Sequence, residues 1–281
     1  MRYISFRHGR RESFGIVRDG GIVDLGQRLG APGDLRGYIA AGFPGADALA
    51  REAPDLALEE VAFLPVIPRP DMIIMAALNY AEPGSDAPRP GYPVLFLRLP
   101  SSQIGHGAPL IRPAVSERLD FEGEMAVIVG RPGRHIPQAQ AMEHVAGFAC
   151  YNDGSVRDWQ KHSHQFTPGK NFCGTGAFGP WMVTREAVPD PAALELVTRV
   201  NGQEMQRTNT GRMIFDIPWL IAYVSTFAPL VPGDVIVTGT CTGFGTTRKP
   251  PVFLHPGDVV EVEIEGLGTL RNPVVAEAAP G

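Results

Sequence analysis

Residues 120–130 read D-F-E-G-E-M-A-V-I-V-G, which places three carboxylates two residues apart at the start of an apolar run. Side chains of a β-strand alternate between its faces, so Asp120, Glu122 and Glu124 are expected to point the same way, with neighbours roughly 7 Å apart. The run is apolar on both faces, which is typical of a buried strand. Carboxylates at the end of such a strand need a cation among them, and a hard divalent ion is the simplest one.

A second run of alternating carboxylates, V-V-E-V-E-I-E-G, provides an internal comparison. It places Glu261, Glu263 and Glu265 at the same spacing, but here only the opposite face is apolar. This pattern is typical of a half-exposed strand with a solvated acidic face. We therefore predict a cation site at the first run and none at the second.

Composition favours a globular, β-rich protein. The chain has 281 residues, of which 44% are hydrophobic and 20% charged. Its net charge of -5 provides no basic surface for nucleic acid, and no apolar run is long enough to suggest a membrane segment. Three widely spaced cysteines suit the reducing cytoplasm, which is the expected location. The 33 glycines and 27 prolines indicate many turns and short strands, and hence a β-rich α+β fold.

A proline-rich stretch at residues 65–70 marks the predicted boundary between two domains. Residues 1–66 form a small N-terminal α+β module, in which a strand and a hairpin precede short helices. Residues 67–281 form the larger, catalytic domain, which begins with a buried strand. Residues 81–93 within it are rich in proline and form a loop.

Three further segments place polar groups beside glycines. Y-N-D-G-S-V-R-D-W-Q delivers Asp153 at the end of an apolar strand, either as a site residue or as an Asx-turn carboxylate. In the same segment, Arg157 would either clamp a substrate carboxylate or form a surface ion pair. Lys170 lies in P-G-K-N-F-C-G-T-G, as a site residue or a solvated charge. The turn at Gly239 and Thr240 would hold an oxyanion or be purely structural.

In their order and spacing, these segments resemble the fumarylacetoacetate hydrolase family over roughly residues 70–275. The resemblance implies a mixed β-sandwich roll and a homodimer. It also implies that Glu122, Glu124 and Asp153 hold one Mg²⁺, Mn²⁺ or Ca²⁺, with Asp120 supporting the ligands from behind. Family substrates are small 2-oxo acids, whose carboxylate and carbonyl oxygens chelate such an ion.

The resemblance further implies roles for the other polar residues. Lys170 is a catalytic residue that adds positive charge near the oxyanion of the substrate. The residues that would contact the substrate or shape its pocket are Tyr80, Arg157, Gln160, Gly239 and Thr240.

Departures from the family pattern concern the activation of water. Many members follow the N-Y motif with a histidine and a glutamate that act as a dyad in a closing lid. Here these positions are Pro83 and Asp86, which leaves Glu82 as the candidate catalytic base. The family's common lysine in F-x-K-x-P is Arg98, and Cys241 replaces the proline of the T-G-T-P turn.

Three functions follow from these observations. The first is a divalent-metal-dependent hydrolase that cleaves a C–C bond in an acylpyruvate-type 2,4-dioxo acid, in the catabolism of aromatic compounds. The second, motivated by the missing lid histidine, is an isomerase, decarboxylase or hydratase of a 2-oxo-dienoate at the same metal site. The third is a ligand-binding or structural protein in which the ion only stabilises the fold.

Overall fold

The computed structural model describes residues 1–30, 33–81 and 90–278. Within them, the strands are β1 (Arg2–His8), β2 (Arg11–Arg18), β3 (Gly21–Asp24), β4 (Leu56–Ala57), β5 (Ala62–Phe63), β6 (Ile73–Ala77), β7 (Val94–Leu97), β8 (Gln103–Ile104), β9 (Leu110–Arg112), β10 (Leu119–Asp120), β11 (Gly123–Val129), β12 (Val145–Asp153), β13 (Ser155–Val156), β14 (Gly176–Thr184), β15 (Glu195–Val200), β16 (Gln203–Asn209), β17 (Val235–Val237), β18 (Val259–Ile264) and β19 (Gly268–Ala276).

The helices of the described residues are short, apart from the last. They are α1 (Leu25–Arg28), α2 (Leu35–Ala40), α3 (Ala46–Leu49), α4 (Arg157–Gln160), α5 (Thr167–Lys170) and α6 (Ile217–Phe227). Single 3₁₀ turns or short 3₁₀ helices lie at Leu58–Glu60, Pro100–Ser102, Gln138–His144, Arg185–Ala187, Thr210–Arg212 and Gly245–Thr247. None of the described helices combines the length and apolar character needed to cross a membrane.

A mixed 12-stranded sheet carries the site, with the central order β4-β3-β2-β1-β14-β12-β11-β17-β6-β7. Strand β1 pairs antiparallel with β14, so the N-terminal strands extend the sheet of the larger domain. The boundary at residues 66 and 67 therefore stays a prediction about folding units and does not separate two sheets.

Strand β11 is the apolar run that follows the first carboxylates, and all seven of its residues are buried. One face, with Met125 and Val127, packs in the core that includes the inward residues of the second sheet. The other face, with Ala126 and Ile128, packs in a core shared with the N-terminal strands and helices. The predicted burial on both faces is confirmed.

A second sheet, ordered β16-β15-β18-β19-β9, packs against the first to complete the β-sandwich. In β18 Val260, Val262 and Ile264 are buried, whereas Val259, Glu261 and Glu263 are partly exposed. Glu265, just after the strand, is exposed. Each glutamate therefore reaches solvent, as the alternation predicts. The β-rich α+β sandwich expected from the sequence is the observed fold.

Candidate metal centre and active site

Three carboxylates meet where β11 and β12 lie side by side. Glu124 belongs to β11, Asp153 ends β12, and Glu122 precedes β11. Antiparallel pairing holds the two chains in register, and the amide of Asp153 donates to the carbonyl oxygen of Glu122 at 2.9 Å. One oxygen from each carboxylate lies within 4.8 Å of the other two, and all three residues are buried. Oxygen donors at this spacing fit a hard divalent cation such as Mg²⁺, Mn²⁺ or Ca²⁺.

Lys170 faces this group from the end of α5. Its ammonium donates to Glu122 Oε2 and to Asp153 Oδ2, both at 2.5 Å, and its side chain is 3% exposed. The ammonium also lies 5.1 Å from the ring centroid of Phe96. Lys170 is therefore a buried cation of the site and not a solvated surface charge.

The charges of the site are balanced almost completely by buried partners. Four buried carboxylates, including Asp120, face three buried cations, Arg98, Arg157 and Lys170, which leaves one net negative charge on these seven side chains. A divalent ion together with the one carboxylate through which a 2-oxo acid chelates it would bring this total to zero, and a second carboxylate elsewhere on the substrate is not part of this count. The site is therefore suited to an ion that arrives with a monoanionic chelating group.

The pKa values of Glu122 and Glu124 are shifted in opposite directions. Burial alone would raise the pKa of Glu122, but the charges of Arg157 and Lys170 lower it to about 2. Burial, followed by the neighbouring charges of Asp153 and Glu122, raises the pKa of Glu124 well above its usual range. A cation beside Glu124 would counter both effects, which supports its assignment as a ligand.

Asp120 is not part of the group of three. It lies in β10, and its carboxylate accepts from Arg157 Nε at 2.8 Å and from the amides of Gly245 and Thr246 at 2.7 and 2.9 Å. Arg157 Nη2 donates to Glu122 Oε1 at 2.8 Å, so one guanidinium joins the two carboxylates. Asp120 thus lies behind Glu122 and outside the group of three, which is the position that the family resemblance implies for it.

A cavity of about 200 Å³ opens in front of these groups. Its lining combines charged residues with an aromatic and apolar wall. The lining residues are Ala77, Leu78, Phe96, Glu122, Glu124, Asp153, Arg157, Gln160, Phe166, Lys170, Thr240 and Phe244. The volume suits a small organic acid, and its wall shields the charges from water.

The structure places the other predicted residues as follows. All three guanidinium nitrogens of Arg157 donate within the protein, the third to Gln160 Oε1 at 3.0 Å, so Arg157 is not a surface ion pair. It lines the cavity, and its contact with a substrate carboxylate stays a prediction. Thr240 lines the cavity, and its hydroxyl donates to the carbonyl oxygen of Gly123 at 2.9 Å. Tyr80 is buried and is not among the described residues that line the cavity. Glu82 lies outside the described residues.

The glycine-rich turn after β17 holds one of the candidate ligands. Gly239 has a φ of +91°, and its amide donates to Glu124 Oε2 at 2.7 Å. A β-carbon at this position would lie 2.5 Å from the carbonyl oxygen of Ala76. Because both the left-handed φ and the close approach require glycine, the turn fixes the orientation of Glu124.

Sequence patterns missed Gln206 in β16. Its Oε1 accepts from the amide of Gly123 at 3.0 Å, and its Nε2 donates to Thr240 Oγ1 and to the carbonyl oxygen of Cys241, both at 2.8 Å. This side chain ties the carboxylate strand to the glycine-rich turn. The surrounding residues, Q-E-M-Q-R-T-N, resemble a polar edge strand and contain no motif that would identify it.

Comparisons with known protein families, sequences and structures all point to one family. A family model described as "Fumarylacetoacetate (FAA) hydrolase C-terminal" matches residues 72–275. Oxaloacetate tautomerase FAHD2A, mitochondrial, from Bos taurus is 43% identical over 232 residues, which cover 81% of this chain and 74% of that protein. Fumarylacetoacetate hydrolase from Exiguobacterium antarcticum matches with a TM-score of 0.85 and 36% identity, over 99% of this chain and 100% of that one. Maleylpyruvate hydrolase from Sphingobium sp. SYK-6, in complex with manganese(II) and pyruvate, matches with a TM-score of 0.83 and 29% identity, over 99% of this chain and 100% of that one.

Proposed function

The chain belongs to the fumarylacetoacetate hydrolase family, and we propose that it is a metal-dependent keto–enol tautomerase of a small 2-oxo acid such as oxaloacetate. The observation that carries this proposal is the 43% identity to a relative named as an oxaloacetate tautomerase. The geometry supports the same reaction class independently, through the chemistry of its buried carboxylates and of Lys170.

The carboxylates of Glu122, Glu124 and Asp153 would hold Mg²⁺ or Mn²⁺. When bound, such an ion would withdraw electrons from the 2-oxo group and make the neighbouring C–H bond more acidic. The manganese and pyruvate in the maleylpyruvate hydrolase structure support a 2-oxo acid as the chelating ligand. Tautomerisation then moves one proton between that carbon and the carbonyl oxygen, and no atom leaves or enters the substrate.

Lys170 is suited to stabilise the oxygen on which negative charge develops. Its ammonium is fixed by two carboxylates and lies in a cavity with an aromatic wall, where a preorganised charge acts more strongly than in water. Because this reaction consumes no water, it has no need for the histidine that the family places where this chain has Pro83. The missing dyad therefore favours tautomerisation over hydrolysis.

Hydrolytic cleavage of an acylpyruvate, as in aromatic catabolism, is the second candidate. The likeness to maleylpyruvate hydrolase favours it, since the two folds match over nearly the whole chain. This reaction requires a base that activates water, and the proposed base is Glu82.

The two functions predict different activities of the purified protein with Mg²⁺. For tautomerisation, we expect enol-oxaloacetate to convert to its keto form about 10²–10⁴-fold faster than without enzyme, as measured by the ultraviolet absorbance of the enol. Removal of the ion with a chelator should abolish this acceleration, and added Mg²⁺ should restore it. Cleavage of maleylpyruvate or another acylpyruvate, followed by chromatography of the pyruvate released, should be much slower. Faster cleavage than tautomerisation would instead identify a hydrolase.

We further propose that the protein is a homodimer. Helix α6 presents a row of aromatic side chains, in which Trp219 and Tyr223 stack at 4.8 Å and Phe227 is 55% exposed. A second copy would cover this apolar surface.

Light scattering during size-exclusion chromatography should give the mass of two chains, and Phe227→Glu should shift the measured mass toward that of one chain. Val115→Glu, an equally charged change at another exposed apolar side chain, should leave the mass unchanged. A monomeric parent protein would contradict the proposal.

A further inference from the structure

We propose that Gln206 is a positioning residue that fixes Thr240, so that the main-chain amide of Thr240, and not its hydroxyl, donates to the carboxylate of the substrate. This inference rests on the proposed 2-oxo acid site and names the group that holds the acid there. Thr240 lines the cavity, whereas Gln206 is not among the described residues that do so. Gln206 therefore acts on the substrate through Thr240.

The side chain of Gln206 is buried, and its hydrogen-bond partners fix its orientation. Its Oε1 accepts from the amide of Gly123 at 3.0 Å, and its Nε2 donates to the carbonyl oxygen of Cys241 and to Thr240 Oγ1, both at 2.8 Å. A main-chain amide can only donate, and a carbonyl oxygen can only accept. The oxygen of the Gln206 amide group must therefore face Gly123, and its nitrogen must face the other two partners.

This orientation determines where the hydroxyl proton of Thr240 points. Because Oγ1 accepts from Gln206, its own proton is free to donate, and it donates to the carbonyl oxygen of Gly123 at 2.9 Å. A hydroxyl has only one proton, so Thr240 Oγ1 has none left for a substrate carboxylate. Turning the hydroxyl toward the substrate would take this donor away from Gly123, which is buried in β11.

The main-chain amide of Thr240 is the donor that this turn leaves available. Among the described residues, no oxygen accepts from it, whereas the preceding amide, that of Gly239, donates to Glu124 Oε2 at 2.7 Å. Successive amides in a glycine-rich turn form a concave site for an anion. The amide of Thr240 therefore adjoins the position of a candidate ligand, where it is suited to hold a carboxylate that binds at the same centre.

Gln206 also fixes the position of this amide relative to the carboxylates. Its side chain joins Gly123, which lies between Glu122 and Glu124, to the turn, and the hydroxyl of Thr240 closes the ring back to Gly123. Without Gln206 the turn would lose its connection to the carboxylate strand. Because binding depends steeply on the placement of donors, the affinity for the acid should then fall.

Calorimetric titration with oxalate at saturating Mg²⁺ tests this role, because oxalate carries the chelating carboxylate and cannot tautomerise. The variants are Gln206→Met, Thr240→Val and the two combined, which nearly keep the side-chain volumes and remove the hydrogen bonds. We expect each single change to raise the Kd of oxalate about 10-fold, and the double variant to raise it by about the same factor, since both changes break one network. Gln203→Met, the same change at an exposed position of β16, should leave the Kd unchanged.

A direct bond from the Thr240 hydroxyl to the carboxylate predicts a different pattern. Thr240→Val would then raise the Kd far more than Gln206→Met does, and this result would overturn the assignment to the amide. Effects that multiply in the double variant would overturn the shared network. A Gln206→Met protein with the Kd of the Gln203→Met control would overturn the role of Gln206, since a purely structural glutamine changes the folded fraction and not the Kd of the folded protein.

A measurement on the parent chain covers the case in which these variants do not fold. In protein labelled with ¹⁵N-threonine, the amide resonance of Thr240 is identified by its loss in Thr240→Ser. Adding oxalate to the Mg²⁺-loaded protein should move this amide proton downfield. The amide of Thr238, which already donates to the carbonyl oxygen of Met125 at 3.0 Å, is the control and should move less. An unmoved Thr240 amide proton would contradict the inference.

Failure of the proposed function gives a separate result. A parent chain that binds no oxalate would overturn the 2-oxo acid site, and this inference with it. A parent chain that binds oxalate but does not accelerate the tautomerisation of oxaloacetate would overturn the proposed reaction alone, because the Kd values of oxalate decide the role of Gln206 by themselves.

Discussion

Replacing Asp120 by asparagine should lower the free energy of unfolding by about 3–5 kcal/mol, which is the usual cost of removing one partner from a buried ion pair. Asp120 is 0% exposed, and its carboxylate accepts from Arg157 Nε, from the amides of Gly245 and Thr246 and from Thr246 Oγ1. Asparagine has the same shape but one neutral oxygen, and its NH₂ group would face a donor. Urea denaturation, followed by circular dichroism, measures the change.

Glu261→Gln is the control for this prediction. Glu261 lies on the partly exposed face of β18 and makes one long ion pair, at 3.4 Å with Arg271, so its loss should change stability by no more than about 0.5 kcal/mol. Because Asp120 is outside the group of three candidate ligands, Asp120→Asn should still bind one divalent ion per chain. A change as small as that of the control, or loss of the ion with no loss of stability, would contradict the supporting role of Asp120.

The contrast between the two acidic runs explains how much the sequence could predict. Burial depends on what occupies both faces of a strand, and this is visible in the residues themselves. The alternation of acidic and apolar residues around Glu261 therefore identifies a half-exposed strand, and the run after Glu124, which is apolar on both faces, identifies a buried one. The need for positive charge at the end of the buried strand follows from the cost of desolvating carboxylates.

Local sequence patterns could not identify the groups that neutralise these carboxylates. The carboxylate of Asp120 accepts hydrogen bonds from Arg157, 37 residues away, and from a turn at Gly245, 125 residues away. Asp153 is oriented by Arg98, from a segment 55 residues earlier in the chain. These contacts arise when β11, β12 and the connecting segments assemble, so no spacing within one segment could reveal them. The resemblance to a family supplied the set of candidate ligands, but not the donors that orient them.

Lys170→Met should lower kcat for oxaloacetate tautomerisation by about 10²–10³-fold, the range measured when one preorganised stabiliser of an oxyanion is removed. Methionine is similar in length and fills the same space, so the change removes the charge and keeps most of the packing. The ammonium lies 2.5 Å from both Glu122 and Asp153, within a cavity of about 200 Å³, and water has little room to replace it. Stopped-flow measurements of the enol absorbance with saturating Mg²⁺ give kcat and KM.

The division between kcat and KM decides which role Lys170 has. If its charge acts mainly on the oxygen that becomes negative during the reaction, kcat falls and KM changes little, because the ground state carries less charge at that atom. If Lys170 mainly binds the substrate carboxylate, KM rises and kcat is preserved, which would contradict the proposed role. Lys161→Met, at an exposed lysine just beyond α4, should alter neither constant. Lys170→Arg should not restore the rate, because the larger guanidinium would occupy space in the small cavity that the substrate needs.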